Sequence, residues 1–184
     1  MACSELCMNT VAATFFANAQ KGIVLYEPFG GLCAGLEMVL RSGIPVARYL
    51  YSDIDPVAQD LAHVRMETLH IQYGALLPSR AIRRPFALPQ DINLVTSDHL
   101  LKQDAYDQTT QWMVLAGWEC QDLSPAGQGK GLTGLRSSTF YPLVNLCATL
   151  QLLQSTLPPA FLFENTALQT HKDPNIAVRD FQVI

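Results

Sequence analysis

The sequence predicts an α/β fold with a mostly parallel sheet and helices on both faces. Short apolar runs at residues 23–26, 46–51, 112–116 and 160–163 have the length and composition of buried strands. Longer segments with apolar residues at helical spacing lie between several of these runs, and such alternation is typical of parallel sheets. The 184 residues are enough for one domain with a sizeable core.

The composition limits the classes of protein that this chain can be. Charged residues make up 15% of the chain, well below the roughly 25% of average soluble domains, which predicts an unusually apolar surface or a missing partner surface. A net charge of −4 does not favour a chain that holds nucleic acid by itself, because phosphate contacts need clustered Lys and Arg. The sequence shows neither an apolar run of membrane-spanning length nor a secretory signal.

The cysteines and histidines predict neither a disulfide framework nor a metal site. The five cysteines form no CxxC pair, and their odd number favours reduced thiols in an intracellular compartment. We expect that compartment to be the nucleus in a eukaryote and the cytoplasm otherwise. The four histidines are scattered without the spacing of zinc ligands, so no metal is expected.

The first strand leads into a glycine turn and a helix. Residues 23–26 form the strand, residues 27–31 (Glu-Pro-Phe-Gly-Gly) the turn, and residues 32–41 the helix, with Gly43 past its end. Such a unit is the first half of a nucleotide-binding βαβ motif, in which glycines let the backbone approach a ligand. The glycines do not follow the GxGxxG pattern, so a plain tight turn is the alternative.

Acidic residues follow the second predicted strand. Asp53 lies roughly twenty residues beyond the glycine turn, where a carboxylate can accept both hydroxyls of a ribose. Pro56 suits the first turn of a helix that we expect to reach about residue 69. Asp55 is expected to cap this helix. The alternative for Asp53 is that it too serves only as a cap.

The next part of the chain predicts a loop and the end of a third strand. Residues 73–89 contain three prolines and a small basic cluster of Arg80, Arg83 and Arg84. Most such clusters are solvated surface, and contact with a phosphate is the alternative. Residues 91–94 are expected to end a short strand.

A cysteine follows the most apolar strand. Residues 112–116 form that strand, Gly117 breaks it, and Cys120 lies in the following turn, ahead of a stretch rich in glycine. Open α/β sheets place their active sites at the carboxyl ends of such strands. The sequence therefore indicates that Cys120 is a nucleophile. A buried, inert structural cysteine is the alternative.

The apolar run at residues 160–163 is followed by a carboxylate and an amide. A long apolar helix over residues 139–155 precedes the strand at 160–163, which we expect to be a core strand ending in Glu164 and Asn165. In a parallel sheet these two side chains would lie beside Cys120. Partial burial would raise the pKa of Glu164, while a simple loop cap is the alternative. Residues 173–181 are expected to form a helix.

These motifs resemble the catalytic domain of C5-cytosine DNA methyltransferases, nearest to the de novo branch. The resemblance runs from residue 23 to about residue 183, with the motifs in the order of that family. The matching stretches are residues 24–36, Asp53-Ile54-Asp55-Pro56, Asp91-Ile92, Cys120-Gln121 with Leu123-Ser124 and Gly127, Arg136, and Glu164-Asn165.

The resemblance implies a Rossmann-like fold that binds S-adenosylmethionine, and DNA as the partner. It implies that Cys120 attacks C6 of cytosine, that Glu164 holds or protonates N3, and that Asn165 supports the loop and the base. The target base would have to leave the duplex. The residues implied to bind the cofactor are Phe29, Gly30, Gly31, Leu32, Asp53, Ile54, Asp91, Ile92, Gly117 and Trp118.

The sequence also departs from the family pattern. Trp118 and Glu119 stand where the family has prolines before the nucleophile, and Thr166 replaces the usual Val. The later arginine motif, the target-recognition region and the closing helix are not found, so we expect residues 21–184 to be the N-terminal part of a catalytic domain. Residues 1–20 would be a separate helical segment. The missing part would come from the same chain or from a second one.

Other functions stay open at this point. A homologue that binds the cofactor without catalysis would explain Trp118 and Glu119. A related transfer RNA methyltransferase would use the same motifs. An unrelated dehydrogenase is disfavoured because the GxGxxG pattern is missing. A P-loop is excluded because Gly131 follows Lys130 where Ser or Thr is required.

Overall fold

The computed structural model describes residues 14–15, 17–103, 109–118, 132, 134 and 137–165. Within this part of the chain, four strands form one sheet flanked by helices, which confirms the predicted α/β class. The strands are β1 (Ile23–Pro28), β2 (Val46–Ser52), β3 (Gln111–Gly117) and β4 (Ala160–Glu164). The helices are α1 (Ala34–Arg41), α2 (Pro56–Tyr73), α3 (Ser97–Leu101) and α4 (Phe140–Leu153), with short 3-10 turns at Ser79–Ala81, Ile92–Leu94 and Ser137–Thr139.

The sheet is parallel throughout its described part. Its strand order is β2-β1-β3-β4, so β1 and β3 occupy the centre. The ladder between β1 and β2 continues through Glu27 and Pro28, two residues beyond the predicted end of the first strand. Because every strand runs in the same direction, all four carboxyl ends meet at one edge of the sheet.

Each face of the sheet is covered by its own core. Alternate residues of β1 point to opposite faces, as the pleat of a strand requires. Ile23 and Leu25 pack with residues of α1 and α2, whereas Val24 and Tyr26 pack with residues of α3 and α4. The apolar residues that predicted the strands and helices are therefore the residues that pack in the two cores.

Helix α1 begins two residues later than predicted. Cys33 adopts a left-handed conformation (φ 57°) and its N–H donates to the carbonyl of Gly30 at 2.8 Å, which closes a turn instead of a helical residue. Leu32 therefore lies outside the helix and is 58% exposed, although its spacing had suggested the apolar face.

The predicted strand end at residues 91–94 is wrong. The backbone N–H of Asn93 donates to the carboxylate of Asp91 at 2.9 Å, and this local bond folds the chain into the turn Ile92–Leu94. Residues 76–90, here called the edge segment, run instead along the outer edge of β2. Its three prolines lack the N–H groups that a strand ladder needs.

The edge segment is fastened to both ends of β2. Val46 N–H donates to the carbonyl of Leu76 at 2.7 Å, and the hydroxyl of Ser52 donates to the carbonyl of Pro89 at 2.8 Å. It thus covers the polar edge of β2 without becoming a strand.

Strand β4 lies at the edge of the described sheet, which corrects the expectation of a core strand. Leu162 is 50% exposed and Phe163 is 38% exposed. An apolar run of this length fits an exposed edge as well as a buried centre, and only the pairing distinguishes the two. The predicted helix at residues 173–181 lies outside the described residues, and residues 14, 15 and 17–19 of the N-terminal segment are helical.

Helix α1 requires glycine at position 35. A Cβ atom there would lie 2.8 Å from Oε1 of Glu27 and 2.9 Å from Cδ1 of Leu115. We expect Gly35→Ala to lower the free energy of unfolding by about 2 kcal/mol, because overpacking outweighs the roughly 1 kcal/mol by which Ala favours a helix. Denaturant unfolding measures the change.

Gly74→Ala is the matched control for this prediction. Gly74 follows α2 with helical angles (φ −46°, ψ −35°), and a Cβ atom there would lie 3.3 Å from the carbonyl oxygen of His70, so Ala should cost much less stability than at position 35. Equal stability of the two variants would contradict the steric argument.

Candidate functional site

The carboxyl edge of the sheet surrounds one cavity of about 620 Å³. Loops that follow β1, β2 and β3 contribute to its walls, and the turn Ile92–Leu94 closes one side. Six of the ten residues predicted to bind a cofactor line it, namely Phe29, Asp53, Ile54, Asp91, Ile92 and Gly117. Ligands of open α/β sheets bind at this position.

The other four predicted residues lie outside the lining of this cavity. Gly30 and Trp118 are buried, Gly31 is half-buried, and Leu32 is exposed. Gly30 and Gly31 shape the turn after β1, and the side chain of Trp118 is buried in the core at the end of β3. The sequence pattern identified the loops of the site more reliably than it identified the residues that face the cavity.

The glycine turn after β1 packs against the end of β2. A Cβ atom on Gly30 would lie 2.5 Å from the ring of Tyr51, so only glycine allows this approach. The hydroxyl of Tyr51 donates to the carbonyl of Gly31 at 3.0 Å, and the N–H of Gly31 donates to Oδ2 of Asp53 at 2.9 Å. The turn is thus fixed at the rim of the cavity.

The two acidic residues after β2 make different contacts, and the predicted cap at Asp55 is confirmed. Asp55 caps α2, since its carboxylate accepts the N–H of Val57 at 2.9 Å. Asp53 instead accepts the N–H groups of Gly31 and Asp55, one on each oxygen, while lining the cavity. A carboxylate oxygen has two lone pairs, so Asp53 can still accept hydroxyl groups. The ribose contact itself stays a prediction.

Asp91 places a second carboxylate at the cavity. Its Oδ1 accepts both the backbone N–H and the side-chain amide of Asn93, at 2.9 and 2.8 Å. Nothing in the described residues donates to its Oδ2. The hydroxyl of Tyr26 donates to the hydroxyl of Ser52, which donates to the carbonyl of Pro89. These two bonds link the loop before Asp91 to β1 and β2.

Glu27 is a buried carboxylate that the sequence did not single out. Its oxygens accept the N–H groups of Gly35 (2.7 Å) and Leu36 (3.0 Å) and the hydroxyl of Tyr49 (2.7 Å). It therefore supplies the acceptor that the first turn of α1 needs. Burial raises the pKa of Glu27, against the opposing effect of these three donors. An acidic residue directly before a turn and a helix is the signal that could have revealed it.

The ends of β3 and β4 bring together the predicted Glu-Asn pair and the start of the loop that contains Cys120. Glu164 pairs with Gly117 across the ladder, and a Cβ on Gly117 would lie 3.2 Å from Oε2 of Glu164. The amide of Asn165 donates to the carbonyl of Trp118 at 2.8 Å. Cys120, two residues further, lies outside the described residues. The carboxylate of Glu164 is exposed, so the expected partial burial is wrong: β4 lies at the edge of the described sheet.

Trp118 anchors the start of this loop. Its ring lies 5.2 Å from that of Phe140 and 6.4 Å from that of Phe163, and it is only 5% exposed. The side chain of Trp118 is therefore part of the core.

Two cysteines, Cys33 and Cys147, lie within the described residues, and neither is suited to nucleophilic chemistry. Burial raises the pKa of Cys33 and that of Cys147 to about 12 each. At neutral pH both thiols are therefore almost entirely protonated, whereas the thiolate is the reactive form.

No group of His, Cys, Asp or Glu side chains that could hold a metal ion occurs among the described residues. In the same part of the chain, we find no helix long and apolar enough to cross a membrane. No protein-family model matches the chain, and no curated protein matches it either. The geometry of the site and the resemblance of its motifs are therefore the basis for a function.

The buried carboxyl of Glu27 should leave a signature in the pH dependence of stability. The folded state keeps the carboxyl proton of Glu27 at pH values where Glu27 in the unfolded chain, with a pKa near 4.5, has released it. Raising the pH above 4.5 therefore favours unfolding until the folded pKa is passed. The loss is about 1.4 kcal/mol for each unit by which the folded pKa exceeds the unfolded one.

Glu27→Gln should lack this slope, because an amide does not titrate. Denaturant unfolding across the acidic and neutral pH range measures it, with Glu67→Gln on an exposed side chain as the control. The same slope in Glu27→Gln as in the unmodified chain would contradict the assignment.

Proposed function

We propose that this chain carries the cofactor-binding and catalytic residues of a C5-cytosine DNA methyltransferase. The observation that supports the proposal most strongly is the cavity at the carboxyl edge of the sheet. Residues of three separate matching motifs line it, together with Gly117 ahead of the Cys120 motif, although almost ninety positions separate Phe29 from Gly117. We extend the proposal to the fold: a Rossmann-like methyltransferase fold is compatible with the parallel order β2-β1-β3-β4.

The cavity has suitable partners for S-adenosylmethionine. Asp53 can accept the ribose hydroxyls, and Asp91 can accept the exocyclic amine of adenine through Oδ2. Phe29, Ile54 and Ile92 offer apolar surface for the adenine ring. When bound, this cofactor supplies an electrophilic methyl group.

The predicted catalytic residues belong to the adjacent loops. In this proposal the thiolate of Cys120 adds to C6 of cytosine, which makes C5 nucleophilic enough to accept the methyl group. Loss of the C5 proton and departure of the thiolate then restore the base. Glu164 stabilises the intermediate by holding a proton at N3, and Asn165 holds the nucleophile loop through the carbonyl of Trp118.

The exposure of Glu164 is compatible with this role. A flipped cytosine beside Gly117 would cover the carboxylate and desolvate it only once the base is in place. We propose DNA as the substrate.

One observation favours a second candidate, a homologue that binds the cofactor without methyl transfer. Trp118 is buried against Phe140, so it is not available to contact a flipped base as the family's proline does. The cofactor cavity is the same in both candidates, and the nucleophile distinguishes them.

Asp53→Asn should weaken binding of S-adenosylmethionine about tenfold to a hundredfold. The change removes the charge that accepts the ribose hydroxyls, and hydrogen bonds to charged groups contribute roughly 1.5–3 kcal/mol. Isothermal titration calorimetry measures the dissociation constant. Asp55→Asn is the control: it removes the same charge two residues away, and Asn caps a helix about as well as Asp. Equal weakening in both variants would argue against the ribose contact.

A covalent trap tests the catalytic step. DNA carrying 5-fluorocytosine should become attached to the chain in the presence of S-adenosylmethionine. Fluorine replaces the C5 proton whose loss releases the thiolate, so the covalent bond to the base persists. Intact-mass analysis should show the adduct, Cys120→Ser should abolish it, and Glu164→Gln should slow it about a hundredfold or more.

The trap also separates the two candidates. Cofactor binding without an adduct, in the protein supplied with any partner chain it needs, would favour the inactive homologue. An adduct that survives in Cys120→Ser would overturn the assignment of the nucleophile.

A further inference from the structure

The edge segment carries a concentrated positive charge on an otherwise acidic chain. Arg80, Arg83 and Arg84 are three of the twelve Lys and Arg residues, and they fall within five consecutive positions of a chain with net charge −4. All three are exposed. Residues 79–85, here called the arginine loop, lie beyond the outer edge of β2, whereas Glu164 belongs to β4 on the opposite side of the sheet.

Two neighbouring hollows flank this loop. The first, of about 530 Å³, is lined by all three arginines and by Gln103. The second, of about 360 Å³, lies between the loop and α2, where His63, His70 and the carboxylate of Glu67, the partner of Arg84, line it. Arg83 and Arg84 line both hollows, so they form a shared basic wall between them.

The arginines of this wall have few acidic partners in the described part of the chain. Only Arg84 has an acidic partner there, Glu67 at 3.6 Å, and both side chains are 55% exposed, so this pair is weak. Arg80 and Arg83 form no ion pair with a described residue.

Gln103 adds a buried polar group to the first hollow. It is only 6% exposed, and its Oε1 has no hydrogen-bond partner among the described residues. The side-chain amide of Gln103 also carries two N–H donors. Several donors around an open hollow are the arrangement that a phosphate group satisfies best.

We propose that the two hollows bind neighbouring phosphate groups of a nucleic acid strand. A single phosphate on exposed, solvated arginines would be held weakly. A ligand whose phosphate groups are linked would bind two adjacent hollows more tightly. Once the first phosphate is bound, contact with the second hollow is intramolecular. This site lies away from the carboxyl edge, and it does not depend on methyl transfer.

The test is binding of a duplex that holds only A·T pairs, measured by fluorescence anisotropy over a range of salt concentrations without cofactor. The absence of cytosine separates this binding from the proposed reaction. The double variant Arg80→Ala/Arg83→Ala removes two contacts and leaves the pair of Arg84 with Glu67. We expect its affinity to fall about tenfold at moderate salt. The dependence of log K on log salt should become shallower by about 1.8, at roughly 0.9 per phosphate contact.

The control is Lys21→Ala/Arg41→Ala, which removes the same charge from exposed side chains elsewhere. It should keep most of the affinity. Circular dichroism and the thermal midpoint establish that both double variants fold.

Three results would overturn the proposal. One is equal weakening in both double variants, which would show that only net charge matters. Another is a lack of duplex binding by the unmodified chain at low salt. The third is binding of pyrophosphate that the Arg80→Ala/Arg83→Ala variant loses while duplex binding is unchanged, which would indicate a site for a small anion.

Discussion

The buried carboxylate of Glu27 is the interaction on which the rest of this structure depends. It lies on the central strand β1 and accepts hydrogen bonds from the first turn of α1 and from Tyr49 of β2. Three elements, of which β2 is distant in sequence, thus meet at one acceptor. Because α1 must present its N-terminus to this group, the chain has to turn sharply between Phe29 and Cys33. That turn, whose Phe29 and Cys33 both have positive φ, forms one side of the candidate site.

The candidate site is built from loops that are held before any ligand binds. Gly31 is bonded to Asp53, Ser52 to Pro89, and Asn165 to the carbonyl of Trp118. Each bond joins residues at least twenty positions apart, so it fixes one loop relative to another. A site fixed in this way loses little conformational entropy when a ligand binds. The polar residues that have no ligand contact of their own are therefore as important to the geometry as those that line the cavity.

The sequence predicted well what depends on neighbouring residues and less well what depends on distant ones. The strands β1, β2 and β3 follow from apolar runs, and the cap at Asp55 follows from the proline after it. The turn at Asp91 was missed because one side-chain hydrogen bond outweighs a short apolar run. The exposure of β4 depends on its place in the sheet, which composition does not specify. The role of Glu27 depends on Tyr49, twenty-two residues away.

The two edge strands of the described sheet, β2 and β4, differ in whether a further strand can pair with them. On the β2 side, the edge segment with its prolines occupies the outer edge, so a further strand finds no continuous row of N–H and C=O groups there. On the β4 side, within the part of the chain that the structure describes, the backbone edge carries no strand, and Leu162 and Phe163 are exposed beside it. Within the described residues, the backbone edge of β4 is therefore the one to which a further strand can pair. Extension there would bring new residues directly beside Glu164, so assembly of the sheet and completion of the candidate site would be a single event.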